Sequence, residues 1–371
     1  MVKNFTVTPW EVSGNVDYDK LIREFGTEPI TEQLLKRIEK HTKELHPYLK
    51  RKIFFCHRDL NWILDEYEKG NKFFLYTGRG PSEKVHLGHI TVWKFTKWLQ
   101  DKFGVDLWFQ MTDDEKFLFK PKLNLEDTNR LAYDNALDVI ALGFDPKKTF
   151  IFSDIDYAKT LYKQALKVAK KLTFSTVKAT FGFKDDNNVG QIFFTSMQSV
   201  PCFLPSVSKK KNIPCLIPLA VDQDAHFRIS RDIMPKLGYY KPAIIHQRFL
   251  PSLAGTGKTS ASEGITIYTT DTSEEVKEKI NKYAFSGGKD TIKEHREKGG
   301  NPDIDVSYQW LTFFEEDDKK LKTIYNDYKS GKLLSGELKK ILIDKLNAFL
   351  KKHQEKREKA KKQLDKFIIK D

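Results

Sequence analysis

Cysteine is scarce in this chain. Only Cys56, Cys202 and Cys215 occur among 371 residues, far apart and with no C-x-x-C pair. This argues against a zinc ribbon or a disulfide framework, and predicts buried free thiols. Long apolar runs are missing too. With 31% charged residues, no stretch approaches the roughly 20 apolar residues that span a bilayer. The N-terminus, Met1-Val2-Lys3-Asn4-Phe5-Thr6, lacks the apolar core of a secretory signal and the Arg-rich character of a transit peptide. A cytoplasmic protein without a membrane span is the expectation.

What the chain does have is positive charge. Lys and Arg number 64 against 51 Asp and Glu, a formal net charge of +13. Such an excess suits a polyanion, nucleic acid foremost, although a solvated lysine-lined helix face gives the same count.

The length and the 39% hydrophobic content provide for two domains, each with a core. Residues 1–70 read as an N-terminal extension, with a small β-hairpin at 5–12 and helical spacing over 18–25 and 31–45. From 71 to 262, apolar runs at 73–76, 105–110, 149–152, 213–220 and 243–246 alternate with helical patterns such as 89–99. That alternation predicts βαβ units and a parallel sheet, a Rossmann-like α/β domain. The polar clusters at 77–81, 110–116, 222–224 and 255–262 fall after the strands, where such sheets bind ligands. Residues 263–359 are mainly helical, with i, i+3, i+4 spacing over 273–283 and 338–350, and 360–371 are expected to form a last helix packing back on the first domain.

Two elements carry phosphate chemistry. His86-Leu87-Gly88-His89 follows a strand and a Gly-Pro turn and opens a helix. Free N–H groups and the positive dipole end suit phosphate there, and Gly88 admits a flat ring against the backbone. By itself the pair also fits two ordinary helix-start histidines, and without a third ligand it makes no metal site. The second element, Gly255-Thr256-Gly257-Lys258-Thr259-Ser260-Ala261-Ser262, imitates the end of a P-loop. The glycine a P-loop requires would stand at 252, which is Ser252, and the segment comes late in the chain. What remains is a Gly-rich loop with a lysine and two serine hydroxyls that suits a polyphosphate.

Together the two elements resemble the signature pair of class I aminoacyl-tRNA synthetases. Tyr76-Thr77-Gly78-Arg79-Gly80-Pro81-Ser82, Gln110-Met111-Thr112-Asp113-Asp114-Glu115-Lys116 and Ala220-Val221-Asp222-Gln223-Asp224 are similar to stretches of the eukaryotic cytoplasmic tryptophanyl-tRNA synthetases. So are Ala284-Phe285-Ser286-Gly287-Gly288-Lys289-Asp290-Thr291, Asp305-Val306-Ser307 and Leu311-Thr312-Phe313-Phe314. The similarity runs from about Asp17 to near the end.

The resemblance implies a Rossmann-like catalytic domain with an inserted helical dimerisation segment, and an α-helical anticodon-binding domain. It implies activation of L-tryptophan by ATP, with Mg²⁺, and transfer to tRNA(Trp). His86, His89, Lys258, Ser260 and Ser262 would be catalytic. Thr77, Gly78, Arg79, Gly88, His89, Lys116, Asp222 and Lys258 would bind ATP. Tyr76 and Gln110 would accept the indole N–H, a donor only, while Glu115, Gln198 and Gln223 would line the tryptophan pocket. Lys289 and Asp290 would meet the anticodon, although an exposed Lys-Asp pair by itself signals little. A homodimer is implied, and Phe174, Phe181 and Phe183 suit either its interface or the core. The pattern departs twice: Thr259 stands where the family usually has methionine, and the stretch from Pro81 to His86 is one residue short. A tyrosyl-tRNA synthetase and a non-catalytic RNA-binding relative are the alternatives.

Overall fold

The structure, a computed structural model, describes residues 6–7, 12–13, 17–255, 257–259 and 265–371. The chain opens on the expected hairpin, β1 (Thr6–Val7) against β2 (Val12–Ser13), with the rest of 5–12 outside the described residues. The sheet that follows is built from β3 (Glu28–Pro29), β4 (Phe54–Arg58), β5 (Phe74–Arg79), β6 (Leu107–Met111), β7 (Thr149–Ser153), β8 (Cys215–Ala220) and β9 (Ala243–Gln247). Its order is β3-β4-β9-β8-β5-β6-β7. The strands from β9 to β7 are parallel, as the alternating pattern predicts. Buried on both faces, they read as near-continuous apolar runs.

Two features of the sheet were not expected. Strands β3 and β4, from the segment read as an extension, add to it antiparallel, Cys56 opposite His246. A short run such as Ile53-Phe54-Phe55-Cys56 has no periodicity that separates strand from buried helix. Strand β5 also runs on to Arg79, through residues expected to turn.

Side-chain alternation divides the sheet into two faces. Leu75, Leu107, Phe109 and Ile151 share a core with the helix Leu87–Phe103, which Gly104 ends in a left-handed cap at φ +62°. Tyr76, Trp108 and Phe152 share another with the helices inserted between β7 and β8, Ala158–Ala169, Phe174–Phe181 and Val189–Met197. The three cysteines are free and buried. No helix of the described residues is long and apolar enough to cross a membrane.

The C-terminal helices are Ser273–Tyr283, Ile292–Lys298, Val306–Phe314, Asp318–Lys329 and the 26-residue Ser335–Ala360. Trp310 and Leu342 lie in the same apolar cluster as Leu75. The long helix is tied to helix Leu125–Ala141 by a buried network in which Asp138 accepts from His353 at 2.8 Å and from Arg357 at 3.1 Å. Residues 360–371 correct the expectation of a helix. Leu364–Lys366 form a single 3₁₀ turn, after which Ile368 bridges Ile151 in parallel. The outer edge of β7 offers unpaired backbone groups, and the extended Ile368-Ile369 pair covers them.

Buried charge under β9 gives the fold a pH signature. The Asp224 carboxylate meets His246 Nε2 at 2.8 Å and accepts two bonds from Arg58 at 2.9 Å. Burial drags the imidazole pKa down, but the Asp224 partner overrides it and holds it at about 9. Burial raises Asp224 and its hydrogen-bonded cations more than reverse this, so it stays well below the usual carboxylate range. The stability contributed by the histidine is fully present below pH ~6.5 and is lost as pH rises toward 9, while that of the carboxylate is lost in acid. The His246→Gln variant is therefore expected to flatten the decline of unfolding free energy between pH ~6.5 and 9, by an amount on the order of 1–3 kcal/mol. Urea unfolding of both proteins across that range checks it. Parallel curves would show that the imidazole does not carry the proton.

Candidate active site

The site follows from a divergence of two strands. β5 lies where the strand order reverses, with β6 on one side and β8 on the other. It pairs with β6 as far as Arg79↔Met111, but with β8 only at Phe74 and Leu75. Beyond Leu75 the two strands part, and a crevice opens at their carboxyl ends, the usual ligand position in such sheets. Thr77 Oγ1 still reaches across, donating to Pro218 O at 3.4 Å.

One wall is His86-Leu87-Gly88-His89. His86 is the N-cap of the helix and His89 packs against it at a tilt, centroids 3.9 Å apart. Burial, then the cations Arg79 and Lys258, pull the His86 pKa to about 3, and the same forces lower His89 well below its ordinary value. Both rings are neutral at pH 7, so each offers one N–H donor and no charge. His86 Nδ1 is buried without a hydrogen-bond partner among the described residues.

The opposing wall is the Gly-rich loop. Gly255 and Gly257 adopt φ +79° and +67°, which let the chain reverse so that Pro251 bridges Lys258. Thr259 N–H donates to Leu250 O at 2.9 Å. The loop is also packed against the first wall, since a β-carbon on Gly88 would lie 3.0 Å from both His86 Cε1 and Thr259 Cγ2. The threonine found in place of the usual methionine is thus buried and seats the loop with its methyl group. Lys258 Nζ meets Asp222 Oδ2 at 2.5 Å, joining the loop to the turn after β8. Ser260 and Ser262 lie outside the described residues.

The short turn before His86 is pinned from below. Arg79 is buried, and its Nε donates to Asn135 Oδ1 at 2.8 Å and its Nη2 to Ser82 Oγ at 2.5 Å. Asn135 in turn donates to Ser82 O at 2.8 Å. Thr269 N–H reaches Val85 O at 2.8 Å and Leu87 N–H reaches Ile267 O at 3.0 Å, stitching both motifs to one frame.

The face under the inserted helices holds a polar chain inside an apolar core. Tyr76 Oη donates to Gln110 Oε1 at 2.5 Å, and Gln198 Nε2 donates to Tyr76 Oη at 2.5 Å and to Gln110 Oε1 at 3.2 Å. Gln110 Nε2 donates to both Asp154 oxygens, at 2.9 and 2.8 Å. With its NH₂ engaged by Asp154, the amide must aim its carbonyl oxygen toward Tyr76. Burial, and then Asp114 and Asp113, raise Asp154 well above the carboxylate range. Sequence alone does not single out Asp154, Asn135 or Asp138, because their partners lie at separations of 44, 56 and 215 residues.

Comparison with known proteins decides what this arrangement belongs to. The model of the class I tRNA synthetases for tryptophan and tyrosine matches residues 68–351. The tryptophan–tRNA ligase of Sulfurisphaera tokodaii is 54% identical over 99% of this chain and 96% of its own. That of Pyrococcus abyssi is 53% identical over 99% and 94%. The chain belongs to the tryptophan–tRNA ligase family. The crystal structure of the Plasmodium falciparum tryptophanyl-tRNA synthetase superposes with a TM-score of 0.89 at 47% identity, covering 95% of this chain and 97% of that one.

The other residues expected of a tryptophan–tRNA ligase take different positions. Glu115 accepts from Thr112 Oγ1 at 2.6 Å, and Lys116 borders Gly80 so closely that a β-carbon there would sit 2.7 Å from Lys116 Cε. Gln223 is half-buried at the end of the 3₁₀ turn after β8. Lys289 and Asp290 are exposed, in the loop before helix Ile292–Lys298. Phe181 and Phe183 are core residues stacked at 5.6 Å, whereas Phe174 is 50% exposed. Among the described residues no group of three or more His, Cys, Asp or Glu is arranged to hold a metal ion.

Proposed function

We propose that this ligase forms tryptophanyl-adenylate between the polar chain of Tyr76, Gln110 and Gln198 and the two phosphate walls, and then passes the amino acid to tRNA(Trp). The observation that carries the reading is the fixed Gln110 amide. Its acceptor oxygen, together with Tyr76 Oη, suits an indole N–H at the bottom of an otherwise apolar pocket. A site whose polar end accepts that donor favours tryptophan over phenylalanine, which brings a purely apolar ring edge to the same oxygens and no hydrogen bond in return.

The tryptophan carboxylate is ionised at neutral pH and needs no general base to attack the α-phosphorus. Its oxygen forms a bond to phosphorus as the bond to the bridging oxygen breaks and pyrophosphate leaves. Catalysis then rests on position and on charge placed where it develops. Lys258 and the Ser260 and Ser262 hydroxyls take the pyrophosphate, with Lys258 leaving Asp222 to do so. Neutral His86 and His89 donate to phosphate oxygens, Thr77, Gly78, Gly88 and Asp222 frame the nucleotide, and Arg79 and Lys116 add positive charge. Mg²⁺ enters with ATP on its phosphates. Glu115 and Gln223 hold the tryptophan ammonium side.

The remaining parts fit the same reading. Residues 71–262 form the catalytic domain with the inserted segment, and residues 263–359 bind the anticodon, with Lys289 and Asp290 near its bases. Exposed Tyr162, Leu166, Phe174 and Val189 on the inserted helices supply an apolar face for a homodimer. The 47% identity to the Plasmodium enzyme is what supports a eukaryotic-type synthetase, while the archaeal ligases are more similar still, at 53–54%; a cytoplasmic location is proposed from the role in translation alone.

ATP–pyrophosphate exchange across all twenty amino acids tests the activity. Tryptophan is expected to be the one strong stimulant. Stimulation by tyrosine instead would assign the chain to the other branch of the family, and binding of tRNA without any exchange would mark a non-catalytic relative.

A further inference from the structure

Helix Leu125–Ala141 carries an amide in the middle of its apolar face. Asn135 is fully buried, one turn from Leu131, Ala132 and Val139, which are buried too. A buried amide is costly unless its atoms are bonded. The bonds of Asn135 all go to the crevice turn. Its Oδ1 accepts from Arg79 Nε at 2.8 Å and from Ser82 N–H at 3.1 Å, and its Nδ2 donates to Ser82 O at 2.8 Å. The amide cannot turn over, since its NH₂ group would then meet two donors. Arg79 Nη2 is taken by Ser82 Oγ at 2.5 Å and Lys84 O at 3.2 Å. Nη1 is the guanidinium nitrogen left without a hydrogen bond among the described residues. After burial, Arg79 is the largest influence on the pKa of both His86 and His89. The helix itself is anchored on both sides of Asn135. Asp138 accepts from His353 at 2.8 Å and from Arg357 at 3.1 Å, and Arg357 Nη2 meets Asp134 Oδ2 at 2.7 Å.

We infer that Asn135 is a positioning residue for adenylate formation, locking Arg79 so that Nη1 is kept for a phosphate oxygen of the nucleotide. The inference rests on the phosphate role of Arg79 proposed above. Asn135 touches no substrate in that reading and acts only through the arginine. An arginine at a strand end has several rotatable bonds, and freezing them before ATP arrives removes that entropy loss from the binding step. A guanidinium presents its donors in a rigid fork, so holding Nε and Nη2 fixes the direction of Nη1. The same amide is bonded to both the N–H and the C=O of Ser82, so one side chain sets the shortened turn and the arginine together.

The test is a double-mutant cycle in the full-length enzyme, read by tryptophan-dependent pyrophosphate exchange. Asn135→Ala is expected to raise the KM for ATP by about ten-fold, the usual effect of taking a hydrogen-bond partner from a buried charged group, and to leave the KM for tryptophan within about two-fold. Arg79→Met should raise the KM for ATP at least as much. In the Arg79→Met background, Asn135→Ala should cost less than about two-fold, because its partner is already gone. Losses that multiply overturn the inference, and so does an Arg79→Met protein with the parental KM for ATP. An equal loss for tryptophan and ATP overturns it as well, by reducing Asn135 to a packing role. Where the alanine variant fails to fold, Asn135→Leu, close in shape and suited to the apolar face, carries the same cycle. Equilibrium titration with ATP reads the cycle without turnover. A parent that binds ATP but exchanges nothing would therefore strike the aminoacylation reading, while the titrations still decide the role of Asn135.

Discussion

Lys258→Ala is expected to slow tryptophan-dependent pyrophosphate exchange by about 10²–10³-fold, the usual loss when one preorganised donor to a developing charge is removed. Tryptophan affinity should change by less than about two-fold, because Lys258 sits on the nucleotide side of the sheet with Asp222, away from Tyr76 and Gln110. The ion pair gives the prediction a second part. Asp222 is 5% exposed and its Oδ1 has no partner among the described residues. Without the lysine it would keep a buried uncompensated charge, so some loss of stability is expected too. Lys258→Arg separates the two effects: it should keep the ion pair and the thermal midpoint, but recover only part of the rate, since a planar guanidinium does not reproduce the ammonium point charge. Thermal denaturation beside exchange kinetics reads both. An exchange rate unchanged in the alanine variant would remove Lys258 from the leaving-group site.

The second large effect is expected at Asp154, which touches neither substrate in the proposed site. Asp154→Ala frees the Gln110 NH₂ group, and a freed amide can turn its donor end toward Tyr76. The indole N–H would then meet a donor instead of an acceptor. Tryptophan binding is expected to weaken by about 1–3 kcal/mol, the cost of a buried polar group left unpaired, with kcat changed much less than KM. Discrimination against phenylalanine should narrow by a similar factor. Asp154→Asn offers one carbonyl acceptor to the same NH₂ group and should restore most of both. Gln110→Ala, which removes the acceptor itself, is expected to weaken tryptophan comparably. Tryptophan titrations of all three variants decide the point. An Asp154→Ala protein that binds tryptophan normally would show that Gln110 is held by Tyr76 and Gln198 alone.

Much of this was legible in the chain. Local chemistry set the strand runs at 73–76, 105–110, 149–152, 213–220 and 243–246, each found within a few residues of its expected ends. The motif order placed both phosphate walls at strand ends; Gly88 was expected to admit a flat ring against the backbone, and the space beside it is bordered by His86 and Thr259. These are contiguous signals, encoded by neighbours in sequence. Others were not contiguous. The run at 53–56 was too short to declare itself a strand until β9 paired with it. The last residues carried helical lysines, yet the open edge of β7 drew Ile368 into an extended bridge.

Taken alone, then, the sequence determined the residue types at the crevice and their order. Tertiary structure decided their state. It made both histidines neutral by burying them beside Arg79 and Lys258, and paired Lys258 with Asp222 across 36 residues. It also turned the Gln110 carbonyl into the pocket by bringing Asp154 behind it. Desolvation and amide orientation depend on atoms brought together from distant segments, and no spacing within either motif records them.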